Sequence, residues 1–268
     1  MTRATLRLAA ALALSLACAP AAFAQDDAEL RLAEQDFSLV SLPTALRLPR
    51  NGSAFRVTHR FTRPLGEGSF GDLAGDLFGI DSGAQIGLEY RYGLIKNGQI
   101  GVHRTNDKTV MFFGQYGLVR QGSSPLDVSI LASIDGTNNF QDSYSPTLGV
   151  ILSRTFGDRG AIYVEPMWIN NTNPLPSAVT DDNDTIVVGV GARVRIRPTV
   201  YLVGEMAPRS GYTPGSNHAS FAIEKRAGGH TFQLNFSNSF ATTRRQLGLG
   251  GPSGDNWYFG FNISRKFF

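Results

Sequence analysis

Three residue types late in the chain could make a hydrolase: His230, Ser237 and Asn238. A histidine can take the proton of a serine hydroxyl while a third side chain orients the ring, which activates a weak nucleophile. The spacing argues against this. His230 and Ser237 are an odd number of residues apart, and such residues of an uninterrupted strand point to opposite faces. The bland reading, turn and strand residues, accounts for them. Asp181-Asp182-Asn183-Asp184 could offer oxygen ligands to Ca²⁺, with Asp72, Asp76 and Asp81 a sparser set, but acidic loops are more often simply solvated. His59, His103, His218 and His230 lack metal-ligand spacing. No catalytic residue, metal ligand or cofactor site is therefore assigned from the sequence.

A larger polar set is more informative. Arg56, Arg60, Gln85, Glu89, Arg91, Arg193, Arg195, Glu205, Glu224, Gln233 and Asn235 all fall on the polar parity of alternating segments. They are expected to line a lumen. One reading is a polar pore, leaning to anions near the arginines. The other is an interior filled by Arg–Glu networks that does not conduct.

These residues need strands to position them. In Thr185 to Arg197, every second residue from Ile186 is apolar, while the alternate set ends in Arg193, Arg195 and Arg197. Side chains alternate faces along a strand, and ~9–11 tilted residues cross a hydrocarbon layer. Similar alternation begins at Ala54 and recurs to Ile263. Val110 to Gln121 reads as a strand whose faces cannot be separated. About twelve strands are expected, with ten or fourteen as alternatives, and long polar connections mostly alternate with tight ones, as in outer-membrane barrels. A soluble barrel with its apolar face inside is the structural rival.

Finer expectations follow. Pro166 predicts a bulge or broken ladder. The hairpin around Arg226-Ala227-Gly228-Gly229 places Ile223 opposite Phe232. A three-residue turn Arg197-Pro198-Thr199 places Ile196 opposite Val200, turns Glu205 inward and links it to Arg193, directly or through Arg91 or Glu89. The C-terminal parity leads to Phe267, so Phe268 predicts a bulge or fray near Arg265-Lys266. Phe232, Leu234 and Phe236 should face lipid, and an arginine at Gln233 should cost little. Phe37 to Leu48 could form a short strand, and Asp26 to Asp36 a helical turn.

The chain opens with Arg3 and Arg7, an apolar run from Leu8 to Ala17, and Ala22-Phe23-Ala24 before Gln25, which reads as a secretory leader cut after Ala24. Cys18 does not make a lipoprotein signal, because Ser15 stands where an aliphatic residue is wanted. Removing the leader takes two arginines and no acid, so the formal charge falls from +3 to +1. No polybasic block remains for nucleic acid. The single cysteine leaves with the leader, which excludes disulfides, thiol catalysis and cysteine metal sites. The organisation expected is a leader at 1–24, a periplasmic or mouth-plugging segment at 25–53 and a barrel at 54–268.

THRF at Thr58 to Phe61, DLFGIDSGAQIGLEYRYG from Asp76 to Gly93 and GFNISRKFF near the end resemble a bacterial outer-membrane-type β-barrel family known as a domain of unknown function. The resemblance spans most of the mature chain. It implies a barrel and carries no activity, so no catalytic residue transfers. The His/Ser/Asn set is also similar in type to that of outer-membrane phospholipases, which also use about twelve strands. Those enzymes carry His and Ser two apart on one face, a spacing absent here. The fold expected is all-β: an antiparallel up-and-down transmembrane barrel after a cleaved signal peptide. The first functional expectation is a non-enzymatic pore or small-solute channel in the bacterial outer membrane. The second is a closed scaffold or docking barrel, and a hydrolase is third. Expected partners are outer-membrane lipid, the outer-membrane assembly machinery and periplasmic or envelope proteins, with no cofactor.

Overall fold

The computed structural model describes residues 32–173, 184–211 and 215–268. Among these residues twelve antiparallel strands close into a barrel. They are β1 (Ser53–Phe61), β2 (Ala84–Ile95), β3 (Gly98–Thr105), β4 (Val110–Val119), β5 (Asp127–Gly136), β6 (Asp142–Thr155), β7 (Gly160–Ile169), β8 (Thr185–Arg197), β9 (Val200–Ala207), β10 (His218–Ala227), β11 (His230–Ser237) and β12 (Tyr258–Phe267). Each pairs with its sequence neighbours, and β1 closes the ring on β12. A two-residue extension, Arg209–Ser210, adds to β8. No helix among the described residues is long and apolar enough to cross a membrane.

The alternation read in the sequence is the alternation of the wall. Ile186, Val190 and Val194 of β8 are about half exposed, while Thr185, Val187 and Arg193 are fully buried. On β4 both faces carry aromatics, which defeats pattern reading. Phe112, Tyr116 and Leu118 point outward, while Met111, Phe113 and Gln115 are buried inside. The connections after β2, β4, β6, β8 and β10 share one end with the start of β1 and the close of β12, the turn end; the other connections share the opposite end, the loop end. Lys96, Arg120, Arg159 and Arg197 stand in or beside the turns, where the acids are Asp158 and the buried Asp127, which Arg47 meets at 3.5 Å. Glu67, Asp72, Asp76 and Asp81 crowd the first loop.

Several register expectations need correction. Ile223 lies opposite Leu234, not Phe232, because the hairpin turns on Gly228-Gly229 alone, with Ala227 paired to His230. Gly228 takes φ +58°, the left-handed geometry such two-residue turns require. The slip is two residues, so no side chain changes face. At Pro198, Arg193 and Arg195 pair with Val203 and Tyr201 as expected, but Arg197, not Ile196, meets Val200 across a bulge. No bulge interrupts β12: its ladders with β1 and β11 are regular through Arg265, and Phe267 pairs with Ser53. Phe268 instead turns onto the inner cluster of Phe37, Leu46, Leu48 and Ala54. Pro166 breaks the β6–β7 ladder between Gly149–Met167 and Leu152–Val164 without shifting its register.

The polar loops hold helices that alternation did not signal. The first contains α1 (Phe70–Gly75), capped by Ser69 and Asp72, and a tight 3-10 stretch over Leu77–Ser82. The last contains α2 (Arg244–Leu249), whose Thr243 and Gln246 form a capping box. Leu247 of α2 is buried in the same cluster as Ile169, Val187 and Ala241, so α2 folds over the lumen at the loop end.

The lumen is occupied by the chain's own N-terminal segment. Ala33 to Leu46 are buried throughout, and Leu48 with them. Phe37 to Leu48 forms no strand, since every wall strand already has two neighbours. It makes one isolated bridge, Ser38 to Pro43, around a turn closed by Leu39 N–H to the Leu42 carbonyl at 2.8 Å. The inward glycines of β8 leave room for it. A Cβ on Gly191 would come within 2.2 Å of Leu39, and one on Gly189 within 2.9 Å of Leu42.

In lipid vesicles, Leu234→Arg on the outer wall at mid-strand is expected to cost about 2–4 kcal/mol of unfolding free energy, against about 0–1 kcal/mol for Phe267→Arg at the strand end. Equilibrium denaturation with tryptophan fluorescence measures both. Equal, small costs would mean that this wall does not sit in hydrocarbon.

Candidate functional site in the plugged lumen

The plug has little secondary structure, so the wall must satisfy its backbone. Inside a barrel each unpaired N–H or C=O costs about as much as a lost hydrogen bond. Glu205 of β9 accepts from three consecutive amides, Val40 at 3.0 Å, Ser41 at 2.8 Å and Leu42 at 3.1 Å. Arg56 of β1 donates to the carbonyls of Val40 (2.8 Å) and Leu39 (3.2 Å). Arg60 reaches the Val40 carbonyl at 3.3 Å and Asn262 at 2.8 Å. Gln99 accepts from the Leu48 amide and donates to the Leu46 carbonyl, and Gln115 donates to the Thr44 carbonyl.

A second cluster holds the start of the plug. Arg193 pairs with Glu224 at 3.0 Å and donates to the Ser38 carbonyl at 2.8 Å. Glu224 also accepts from Gln233 at 2.9 Å and from plug residue Gln35. Gln233 donates to the Leu39 carbonyl at 3.1 Å. Asp36 accepts from Ser264 at 2.9 Å, and Tyr163 donates to Glu34 at 3.0 Å. The expected Arg193–Glu205 link is therefore not made. Parity correctly put both inside, but β10 supplies a nearer carboxylate to Arg193, and the plug claims Glu205. An arginine at Gln233 is not cheap either, because the side chain sits in a filled network rather than in open water.

The remaining lumen candidates are split by height. Glu89 and Arg91 form a buried ion pair beside His103, with Arg91 over the rings of Phe113 (4.6 Å) and Phe37 (5.5 Å). Asn235 is fully buried. Gln85 is half-buried at the loop end, and Arg195 half-buried at the turn end, where it donates to the Pro198 carbonyl. The wall residues missed by the sequence reading are the amides Gln99 and Gln115, Asn262 and His218. Their parity was readable, but nothing in the sequence signals what they hold.

His218 completes a relay that resembles hydrolase chemistry. Its Nε2 bonds Glu205 at 2.8 Å and its Nδ1 meets Ser239 Oγ at 2.6 Å. With Nε2–H donating to the carboxylate, Nδ1 is left to accept from the hydroxyl. That is the order serine, base, acid. All three groups are buried, and Glu205 simultaneously holds the plug turn and Ser220. The residues first suspected are not assembled: His230 contacts Arg265 at the turn end, and Ser237 bonds the Ser239 carbonyl at the loop end. Asp181 to Asn183 lie outside the described residues; Asp184 accepts from Trp168 at 3.1 Å. Glu165 is a buried carboxylate without a hydrogen bond among the described residues, and no cluster of three metal-type ligands exists among them.

The lid is tied to the loop between β3 and β4. Gln246 of α2 donates to Asp107 at 3.1 Å. Burial alone would raise the Asp107 pKa. Hydrogen bonds from the Thr105 hydroxyl and the Thr109 amide outweigh it and hold the carboxyl below its ordinary value.

A family model described as a membrane-bound β-barrel domain (DUF5777) matches residues 35–267. No curated protein matches the chain. Among solved structures, a triple mutant of Rhodopseudomonas blastica porin is similar at 12% identity and a TM-score of 0.37, over 72% of this chain and 58% of the porin. An active-site mutant of Escherichia coli outer membrane phospholipase A is similar at 9% identity and a TM-score of 0.44, over 88% of this chain and 98% of that one. The chain thus spans little more than half the length of the porin.

Two outcomes are expected. Arg193→Ala and Glu224→Ala should each cost about 3–5 kcal/mol, because each leaves a buried charge unpaired. Their double-mutant cycle should show stronger coupling than that of Arg193→Ala with Glu205→Ala; the reverse order would overturn the pairing. Asp107 has a depressed folded-state pKa, so its contribution is present above its unfolded value near 4 and lost as pH falls through the lower folded value. Amide exchange at Leu247 and Gly248 should therefore accelerate below about pH 4. Asp107→Asn should remove that dependence.

Proposed function

Because this chain belongs to the family of membrane-bound β-barrel domains (DUF5777), we propose that it is an outer-membrane barrel kept shut by its own N-terminal segment. It serves as a non-enzymatic scaffold or docking protein, with the turn end in the periplasm. The observation that carries this reading is the burial of Ala33 to Leu46 inside the ring. The arginines that an open pore would offer to ions instead hold plug carbonyls: Arg56 and Arg60 that of Val40, Arg193 that of Ser38. Of the two readings of a polar lumen, the filled one is favoured. The lid α2 over the loop end supports the same reading. Wiring with short periplasmic turns supports the orientation, and the outward Phe267 is the side chain the assembly machinery would read.

The Ser239–His218–Glu205 relay is the observation that favours a hydrolase. Against it, Ser239 is 1% exposed, and the acid of the relay is already committed to three plug amides. In this reading the relay is a latch that fixes Glu205, not a reaction centre.

In planar bilayers the mature full-length chain should give no steady conductance. A chain lacking residues 32–48 should give discrete channel openings. Steady openings from the full chain would refute the plugged reading. Fatty-acid release from phospholipid vesicles should be absent, and Ser239→Ala should leave that result unchanged; release that the substitution abolishes would establish the hydrolase.

A further inference from the structure

The outer wall is not uniformly bulky. One transverse row of outward residues runs Ile100, Gly114, Ala132, Leu148 and Trp168 across β3 to β7, each paired with the next. Gly114 and Ala132 make the row shallow in its middle. A Cβ on Gly114 would meet nothing nearer than 3.9 Å. The result is an apolar groove of about 730 Å³, walled by Ile100, Tyr116, Ile130, Leu148 and Trp168. It extends to Leu94 and Ile95 at the turn end.

A second, differently lined cleft lies across the rim from the groove, on the lumen side of the turn-end mouth, with Lys96 and Arg120 on the rim between them. Lys96 and Asn97 follow Ile95 directly, and Leu118 and Arg120 follow Tyr116 on β4. Together with Arg50 and Ser123 they line a cleft of about 940 Å³, with Pro49 and Phe268 as its apolar floor. Arg50, Lys96 and Arg120 are exposed, and no acid lines this cleft. From Gly114 to Val119, the last residue of β4 before Arg120, is five strand positions, about 17 Å at most given the bulge at Gly117–Val119. That is about the depth of one leaflet of a hydrocarbon core of ~30 Å.

We propose that groove and cleft form one site for an anionic phospholipid of the periplasmic leaflet, the acyl chain lying over Gly114 and Ala132 and the phosphate between Lys96 and Arg120. The proposal rests on the membrane orientation given above. A lipid is favoured over a protein occupant because the apolar part is continuous with the lipid-facing wall and the basic part lies at its edge, where headgroups are. Charge complementarity selects an anionic headgroup over a zwitterionic one. The two halves act differently: the groove recognises any chain, and the cleft recognises charge.

The test is native mass spectrometry of the folded mature chain released from nanodiscs that contain phosphatidylglycerol and phosphatidylcholine with identical acyl chains. One phosphatidylglycerol should be retained in preference. Lys96→Gln with Arg120→Gln should weaken its retention about tenfold or more. Gly114→Leu, whose Cβ meets nothing nearer than 3.9 Å and whose side chain would project into the groove, should weaken it with all charges intact. Arg159→Gln with Arg197→Gln, the same charge loss elsewhere on the rim, should leave it unchanged. Equal loss in that control would reduce the site to diffuse attraction and overturn the proposal. So would equal retention of the two lipids. Displacement by millimolar inorganic phosphate together with indifference to Gly114→Leu would show an anion site at the mouth and no lipid site. A conducting full-length chain would sink the plugged reading but leave this site standing.

Discussion

The structure depends on one constraint: a segment with almost no secondary structure lies inside a closed ring, and its backbone must find partners there. The plug supplies few of its own bonds, such as Leu39 to Leu42 and Thr44 to Phe37. The wall meets the remainder by matching charge type to backbone group. Where three amides converge, at Val40 to Leu42, stands the carboxylate of Glu205. Where carbonyls converge, at Leu39 and Val40, stand Arg56 and Arg60. Where one amide and one carbonyl are offered, Gln99 binds both with its amide group, much as a neighbouring strand would. Charged partners suit this task because hydrogen bonds to ionised groups are worth about 1.5–3 kcal/mol, more than neutral ones.

The same matching explains why so many charges tolerate burial. An unpaired ion in a dry interior is expensive, and pairing offsets the cost only when the remaining donors and acceptors are also filled. Arg193 shows the pattern: one carboxylate, Glu224, and one plug carbonyl, Ser38. Arg91 adds aromatic faces to its ion pair with Glu89. The lumen is therefore a polar core, organised around a peptide in place of water.

What was legible in the sequence was most of what has period two. Counting alternating runs gave about twelve strands, and wall faces followed from parity except on β4, where aromatics stand on both faces. Register did not follow, because a slip of two residues leaves every face unchanged; the β10–β11 hairpin slipped in that way. Partner choice inside the lumen was also illegible. Arg193 and Glu205 are on adjacent strands, yet their partners come from β10 and from a segment more than 150 residues away. The inward pair Gly189 and Gly191 carries no signal of its own in the sequence. It became meaningful only once Leu42 and Leu39 were found to fill it. The helices α1 and α2 were hidden for another reason: each is six residues long, shorter than the window over which helical periodicity can be recognised.

The order in which the plug's partners occur along the chain has a consequence for folding. The plug comes first, and its bonds to β1, β3 and β4 close loops of modest length, 17 residues from Leu39 to Arg56 and 53 from Leu46 to Gln99. Its bonds to β9, β11 and β12 span 163 to 231 residues. Loop-closure entropy must be paid before such distant contacts reward it. The early half-ring can therefore gather one side of the plug while the amides of Val40 to Leu42 still lack Glu205. Seam closure between β1 and β12 and completion of the plug's bonding then reinforce each other. The segment that shuts the barrel also ties its first strand to its last, through Arg56 on β1 and Ser264 on β12.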